Sequence, residues 1–192
     1  MEKKVRGGPV NALYLFVQNG LEPPLQSQVL ARIPEDLRTK LGKLEPGSWY
    51  PFEYSNQVLR AIASTEADPL KAGLLARQAG RYIANEAINT FLRLLVKFLS
   101  PSLFARKFHD FFRKDHNFGK IETDLSQIDQ NRFVLTMSEV GGYDYVSWGA
   151  SGWMIHTLSC MGCKNVQVTE TLHPPPAPQN ADSYRFEVSW SD

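Results

Sequence analysis

The chain has 192 residues, 43% of them hydrophobic and 21% charged. That is long enough to bury a core, suits one domain (1–192) better than two, and is too apolar for a disordered chain. Lys and Arg number 21 against 20 Asp and Glu, a net charge of +1, which argues against a general nucleic-acid binder; four His and two Cys leave little material for a metal centre or a disulfide framework.

The neutral total hides an asymmetry. Residues 1–121 carry 18 Lys/Arg against 11 Asp/Glu, and residues 122–192 carry 3 against 9. The split falls where the pattern changes from long helical spacing to short alternation. It reads either as a helical layer and a sheet layer of opposite charge or as two solvated faces. The most apolar stretch, Phe91 to Leu99, is broken by Arg93 and Lys97 and falls short of the roughly 18 residues of a membrane span. The run Ala12 to Val17 is shorter than a signal-peptide core. A cytoplasmic protein is expected.

In chain order, Val10 to Gly20 is apolar and reads as a short helix or a strand. Pro23, Pro24 and Pro34 leave room for one short helix near Leu25 to Arg32, and Glu35 to Leu44 predicts another behind Pro34. EPGSWYPFEY, with Trp49, Tyr50, Phe52 and Tyr54, predicts a loop tacked onto the core. Ser55 is the expected cap of a helix over Asn56 to Ser64. Asp68-Pro69 opens the clearest helix, apolar at helical spacing from Leu70 to Phe98; Gly80 within it marks close packing, a kink or a break. Ser102 is expected to start a helix over Leu103 to Arg113 with Phe104, Phe108, Phe111 and Phe112 on its inner side.

After residue 117 the period changes. Phe118 to Leu125 and Arg132 to Glu139 read as a hairpin across Asp129 and Asn131. Tyr143 to Met161 predicts a helix ended by Gly162 as a left-handed cap. Asn165 to Leu172 and Ser183 to Trp190 read as a third and a fourth strand. The expected class is α+β: a helical N-terminal half (about 1–117) packed on a C-terminal antiparallel sheet of about four strands (about 118–192). No βαβ alternation supports a dinucleotide-binding sheet.

Catalytic motifs are not legible. Cys160-x-x-Cys163 sits at a helix C-terminus, where the dipole raises a thiol pKa instead of lowering it, and no second pair completes a zinc site. His109, His116, His156 and His173 have no metal-ligand spacing. His156, on the Trp153–Leu158 helix, is either a pocket residue or a satisfied structural one. Gly149-Ala-Ser151-Gly152 departs from a nucleophile elbow, because the second Gly follows the Ser directly; its glycines are expected to let the helix approach the sheet. Arg106, Lys107, Arg113, Lys114 and Lys120 form a basic stretch that fits anion binding or the solvated back of a helix whose front is phenylalanine.

The segments FHDFFRKDHNFGKIE (108–122), FVLTMSEVGGYDY, WGASGWMIHTLSCMGCKNVQVTE and YRFEVSW carry a resemblance. With Phe112, Arg113, Asn117, Phe118, Gly149, Gly152, Gly162, Tyr184, Phe186, Val188 and Trp190, they resemble a family of uncharacterised domains of similar length, found as many paralogues in myxobacteria and other predatory bacteria. The WYPFEY loop and Ala79-Gly80-Arg81 resemble it too. That family is distantly similar to the ligand-binding domains of haem nitric-oxide sensors, to vinyl-reductase-type sensor domains and to a group of Golgi transport proteins. The resemblance implies a sensing or binding module with a pocket between helices and sheet, and no enzymatic activity. The Tyr-x-Ser-x-Arg motif of the haem sensors and the zinc cysteines of the vinyl-reductase type are missing from this sequence, so no cofactor and no metal are expected.

The reading is a non-enzymatic sensory domain of bacterial signalling. Its expected ligand is small and apolar or amphipathic, held by Tyr82, Phe91, Phe108, Met137, Trp148, Trp153 and His156. The alternatives are a protein-interaction adaptor, as a homodimer or with another partner, and a binder of an anionic ligand or nucleotide through Arg106, Lys107, Arg113, Lys114 and Lys120.

Overall fold

The computed structural model describes residues 2–88, 96, 98–142, 145–173 and 181–191. The expected α+β class is what it shows: helices come first, and a four-stranded antiparallel sheet follows.

The first helix, α1 (Gly7–Asn19), settles the ambiguity at Val10 to Gly20 in favour of helix; Val10, Leu13, Phe16 and Val17 are its buried stripe. α2 (Pro23–Arg32) starts on its two prolines, whose missing N–H groups fall in the turn where no helical partner exists. α3 is only Glu35–Arg38, shorter than the apolar pattern predicts. The expected loop contains a strand, β2 (Trp49–Pro51), which pairs antiparallel with β1 (Lys4–Arg6). α4 (Glu53–Ala63) begins before Ser55, so that residue is a buried member of the helix and not its cap. α5 (Pro69–Ala87) is capped as expected: the Asp68 carboxylate accepts the backbone N–H of Leu70 at 2.8 Å. The expected continuation from 89 to 95 lies outside the described residues. α6 (Pro101–Asp115) starts two residues earlier than predicted, because Ser100, not Ser102, accepts from Leu103 N–H at 3.1 Å.

The second half follows its predicted order. β3 (Lys120–Asp124) and β4 (Arg132–Ser138) form a hairpin, and Asn131 takes the left-handed conformation that ends its turn, with φ 56°. α7 (Val146–Cys160) is followed by Gly162 at φ +97°, the conformation that favours glycine. β5 (Lys164–Glu170) and β6 (Ser183–Ser191) complete a sheet of order β3-β4-β6-β5. In register, Met137 faces Tyr184, Leu135 faces Phe186 and Phe133 faces Val188. These six side chains are buried, and burying each aromatic or large aliphatic one contributes about 1.5–3 kcal/mol against solvent.

Two apolar clusters result. One gathers α1 to α4 around Leu13, Phe16, Leu59 and Ile62, with Ala79 of α5 and Phe118. The other joins α6, α7 and the sheet face around Phe104, Phe108, Leu135, Met154 and Phe186. α5 runs along α7 between them. That contact is backbone on backbone: a Cβ on Gly152 would lie 2.0 Å from the carbonyl oxygen of Arg77. The glycines of α7 therefore admit α5, not the sheet.

Candidate functional site

At the junction of the two clusters lies an apolar cavity of about 130 Å³. α1 contributes Pro9 and Leu13, α4 Ser55 and Leu59, and α5 Gly80 and Ile83. α6 contributes Phe108, Phe111, Phe112 and Asp115, with His116 just past its end, and β4 contributes Met137. The α7 side is Val146, Gly149, Ala150 and Trp153, preceded by Tyr145. The α7 residues are spaced i, i+3, i+4 and i+7, one face of a helix. The phenylalanines of α6 recur in the same way.

The aromatic wall is tightly keyed. Trp153 stacks on Phe104 (5.8 Å, 21°) and meets Phe108 edge-on (5.6 Å, 83°). Such pairs contribute about 0.5–1.5 kcal/mol beyond their buried area. His116 stacks on Phe112 at 4.3 Å and meets Phe118 edge-on at 5.5 Å. Its Nδ1 lies 3.2 Å from the carbonyl oxygen of Phe112, which can only accept, so Nδ1 carries the proton. Burial lowers the His116 pKa to about 4, against a weaker opposing effect of that hydrogen bond. Burial raises the Asp115 carboxyl, while Lys114 and Arg6 act the other way. Burial also raises the Tyr145 phenol.

The structure brings together Phe108, Met137 and Trp153 of the expected pocket set. Tyr82 stands outside the described lining, packed on Phe16 at 5.7 Å. Trp148 belongs to the α5–α7 seam, where the Arg77 guanidinium lies 4.8 Å over its ring and Arg77 Nε donates to Ser151 Oγ at 2.9 Å. Burial and the neighbouring Arg81 lower the Arg77 pKa. His156 is not among the described lining residues, and its Nε2 lies 3.5 Å from Cys160 Sγ. Burial lowers the His156 pKa and raises that of Cys160. Phe91 lies outside the described residues. Asp115, His116, Tyr145 and the aliphatic wall were not assigned to a pocket from sequence; the 146/149/150/153 spacing was the available signal for the α7 part.

The basic set is dispersed along an exposed face. Arg106, Lys107, Arg113, Lys114 and Lys120 are all exposed, with Lys107 paired to Asp110 at 2.9 Å and Lys120 paired to Glu139. No group of three His, Cys, Asp or Glu among the described residues is placed to hold a metal, and no described helix is long and apolar enough to cross a membrane.

No protein-family model and no curated protein matches the chain. Solved structures do. An H-NOX protein from S. oneidensis in the Fe(II)NO ligation state superimposes with TM-score 0.68 over 97% of this chain and 99% of that one, at 14% identity. An Fe(II) unliganded H-NOX protein from K. algicida gives 0.66 over 97% of each, at 12% identity. The H-NOX from Shewanella woodyi in the Fe(II)CO state gives 0.62 over 96% and 94%, also at 12%. The chain has the H-NOX fold.

A haem, the group that resemblance to such sensors implies, does not fit the described lining. A cavity of on the order of 150 Å³ takes benzene, and a porphyrin needs several times that room. Among the described lining residues there is no Lys or Arg to meet the two carboxylates of a haem, and the one formally charged side chain is Asp115, of the same sign.

Proposed function

We propose that this chain, like the predatory-bacterial domains it resembles, is a non-catalytic sensory domain of bacterial signalling that binds a small apolar or amphipathic molecule between helices and sheet. The observation that carries this reading is the cavity itself. It is walled by Leu13, Leu59, Ile83, Phe108, Met137 and Trp153, with the polar groups of Ser55, Asp115, His116 and Tyr145 also in the wall. Ligand sites are mostly apolar concavities with a few placed polar groups. The position of the cavity, where the two cores and the α5–α7 pair meet, supports coupling between occupancy and helix packing. The H-NOX likeness supports the sensory part by fold analogy only.

The test is toluene, a probe of the cavity's size and polarity. At about ten times its Kd, toluene should raise the unfolding midpoint by about 3–6 °C. Ala150→Leu, which puts side chain into the cavity, should abolish that shift. A midpoint unmoved by toluene at saturation would overturn the reading.

A further inference from the structure

We propose that the cavity selects a small amine, with its ammonium group held by Asp115 and its apolar body held by the aromatic wall; this rests on the cavity being a ligand site at all. Among the described lining residues, Asp115 is the one side chain that carries charge at neutral pH. His116 is neutral there, since its pKa is about 4. Tyr145 keeps its proton because burial raises its pKa further. The described lining therefore offers one negative charge and no positive one.

That carboxylate is poorly compensated by the protein. Asp115 makes no ion pair and accepts no hydrogen bond from any described residue. Two cations act on it from a distance. Lys114, its neighbour on α6, is exposed. Arg6 of β1 is engaged elsewhere: its guanidinium lies 4.0 Å over the Trp49 ring and donates to the carbonyl of Gly47. A half-buried carboxylate without a partner is costly, and an incoming ammonium supplies the charge-assisted hydrogen bond that no described residue makes. Phe108, Phe111, Phe112 and Trp153 line the cavity; aromatic rings attract a cation and give an apolar body a surface to pack on. An anionic ligand would be repelled by the Asp115 carboxylate, and a neutral one would bring it no ammonium partner.

The experiment compares toluene, benzylamine, benzyl alcohol and benzoate on the native protein at pH 7 by calorimetric titration. Benzylamine should bind at least about tenfold tighter than toluene, as a hydrogen bond to a charged group requires. Benzyl alcohol should fall between them, and benzoate should not bind. Asp115→Asn should bring benzylamine down to the toluene level and leave toluene within about twofold, because the apolar wall is untouched. Toluene binding with benzylamine no tighter, or a benzylamine preference that survives Asp115→Asn, overturns the amine proposal and leaves the cavity reading standing. Failure of all four compounds to bind overturns both. The ranking on the native protein decides the question even if the variant does not fold.

Discussion

Gly80 and Gly149 meet backbone to backbone: a Cβ on Gly80 would lie 2.1 Å from the carbonyl oxygen of Gly149. Neither partner can yield as a side chain would, so Gly80→Ala forces α5 and α7 apart. We expect a loss of about 2–3 kcal/mol, read as a fall of about 4–12 °C in the thermal midpoint by circular dichroism. Gly152→Ala should behave alike. Gly149→Ala is the control, because a Cβ there meets nothing within 4 Å. It should leave stability unchanged or raise it by up to about 1 kcal/mol through helix propensity. Equal losses at Gly80 and Gly149 would contradict the close crossing.

His116 links stability to pH. Its pKa in the fold, about 4, lies below the unfolded value, 6.5, so the unfolded chain binds the extra proton between those limits. Its contribution is fully present above about pH 6.5 and is lost as pH falls toward about 4, amounting to about 2–3 kcal/mol. Asp115, raised by burial, works in the opposite sense. The measurement is therefore a difference: urea unfolding at pH 7 and pH 4.5 for the native protein and for His116→Gln. The variant should lose less stability on acidification, and an unchanged difference would refute the assignment.

Cap positions are tested by paired substitutions. Ser100→Ala removes the acceptor of Leu103 N–H and should cost about 1 kcal/mol, as should Asp68→Ala at the start of α5. Ser102→Ala should change stability by less than about 0.5 kcal/mol. The reverse order for the two serines would restore the start of α6 to Ser102.

Arg77 holds Trp148 by its flat face and Ser151 by Nε. Lysine keeps the charge but has neither the plane nor that donor. Arg77→Lys should cost about 1–2 kcal/mol and alter the near-ultraviolet circular dichroism of the tryptophans. A spectrum and a midpoint identical to native would show that the stacking contributes nothing.

The four-stranded sheet was legible because Phe133, Leu135 and Met137 alternate with the mixed set Val134, Thr136 and Ser138, and their partners Tyr184, Phe186 and Val188 alternate with Arg185, Glu187 and Ser189. The β1–β2 pair was not, since three residues cannot display a period; Val5 and Tyr50 are set by each other and by the bridge from Val5 to His116. Ser55 has the chemistry of a cap, but tertiary packing extends α4 back to Glu53 and buries the hydroxyl-bearing residue. For the site, aromatic size pointed to Phe108 and Trp153 but also to Trp148, which lies about 140° around α7 from Trp153 at 100° per residue. Asp115 and His116 read as the way out of a helix. Their place in the cavity comes from the return of β1 beside them, which no local pattern records.

The strand order β3-β4-β6-β5 also fixes an order in time. β5 precedes β6 in the chain, yet in the sheet it pairs only with β6. Until β6 arrives, the amides of β5 have only water to satisfy them. β6 must first cross the interval from Arg132–Ser138 to Ser183–Ser191 to find β4, and closing so long a loop is the slow, entropy-limited kind of step in folding. Hydrogen exchange during refolding should therefore protect β3 and β4 as a hairpin first, and β5 and β6 together afterwards.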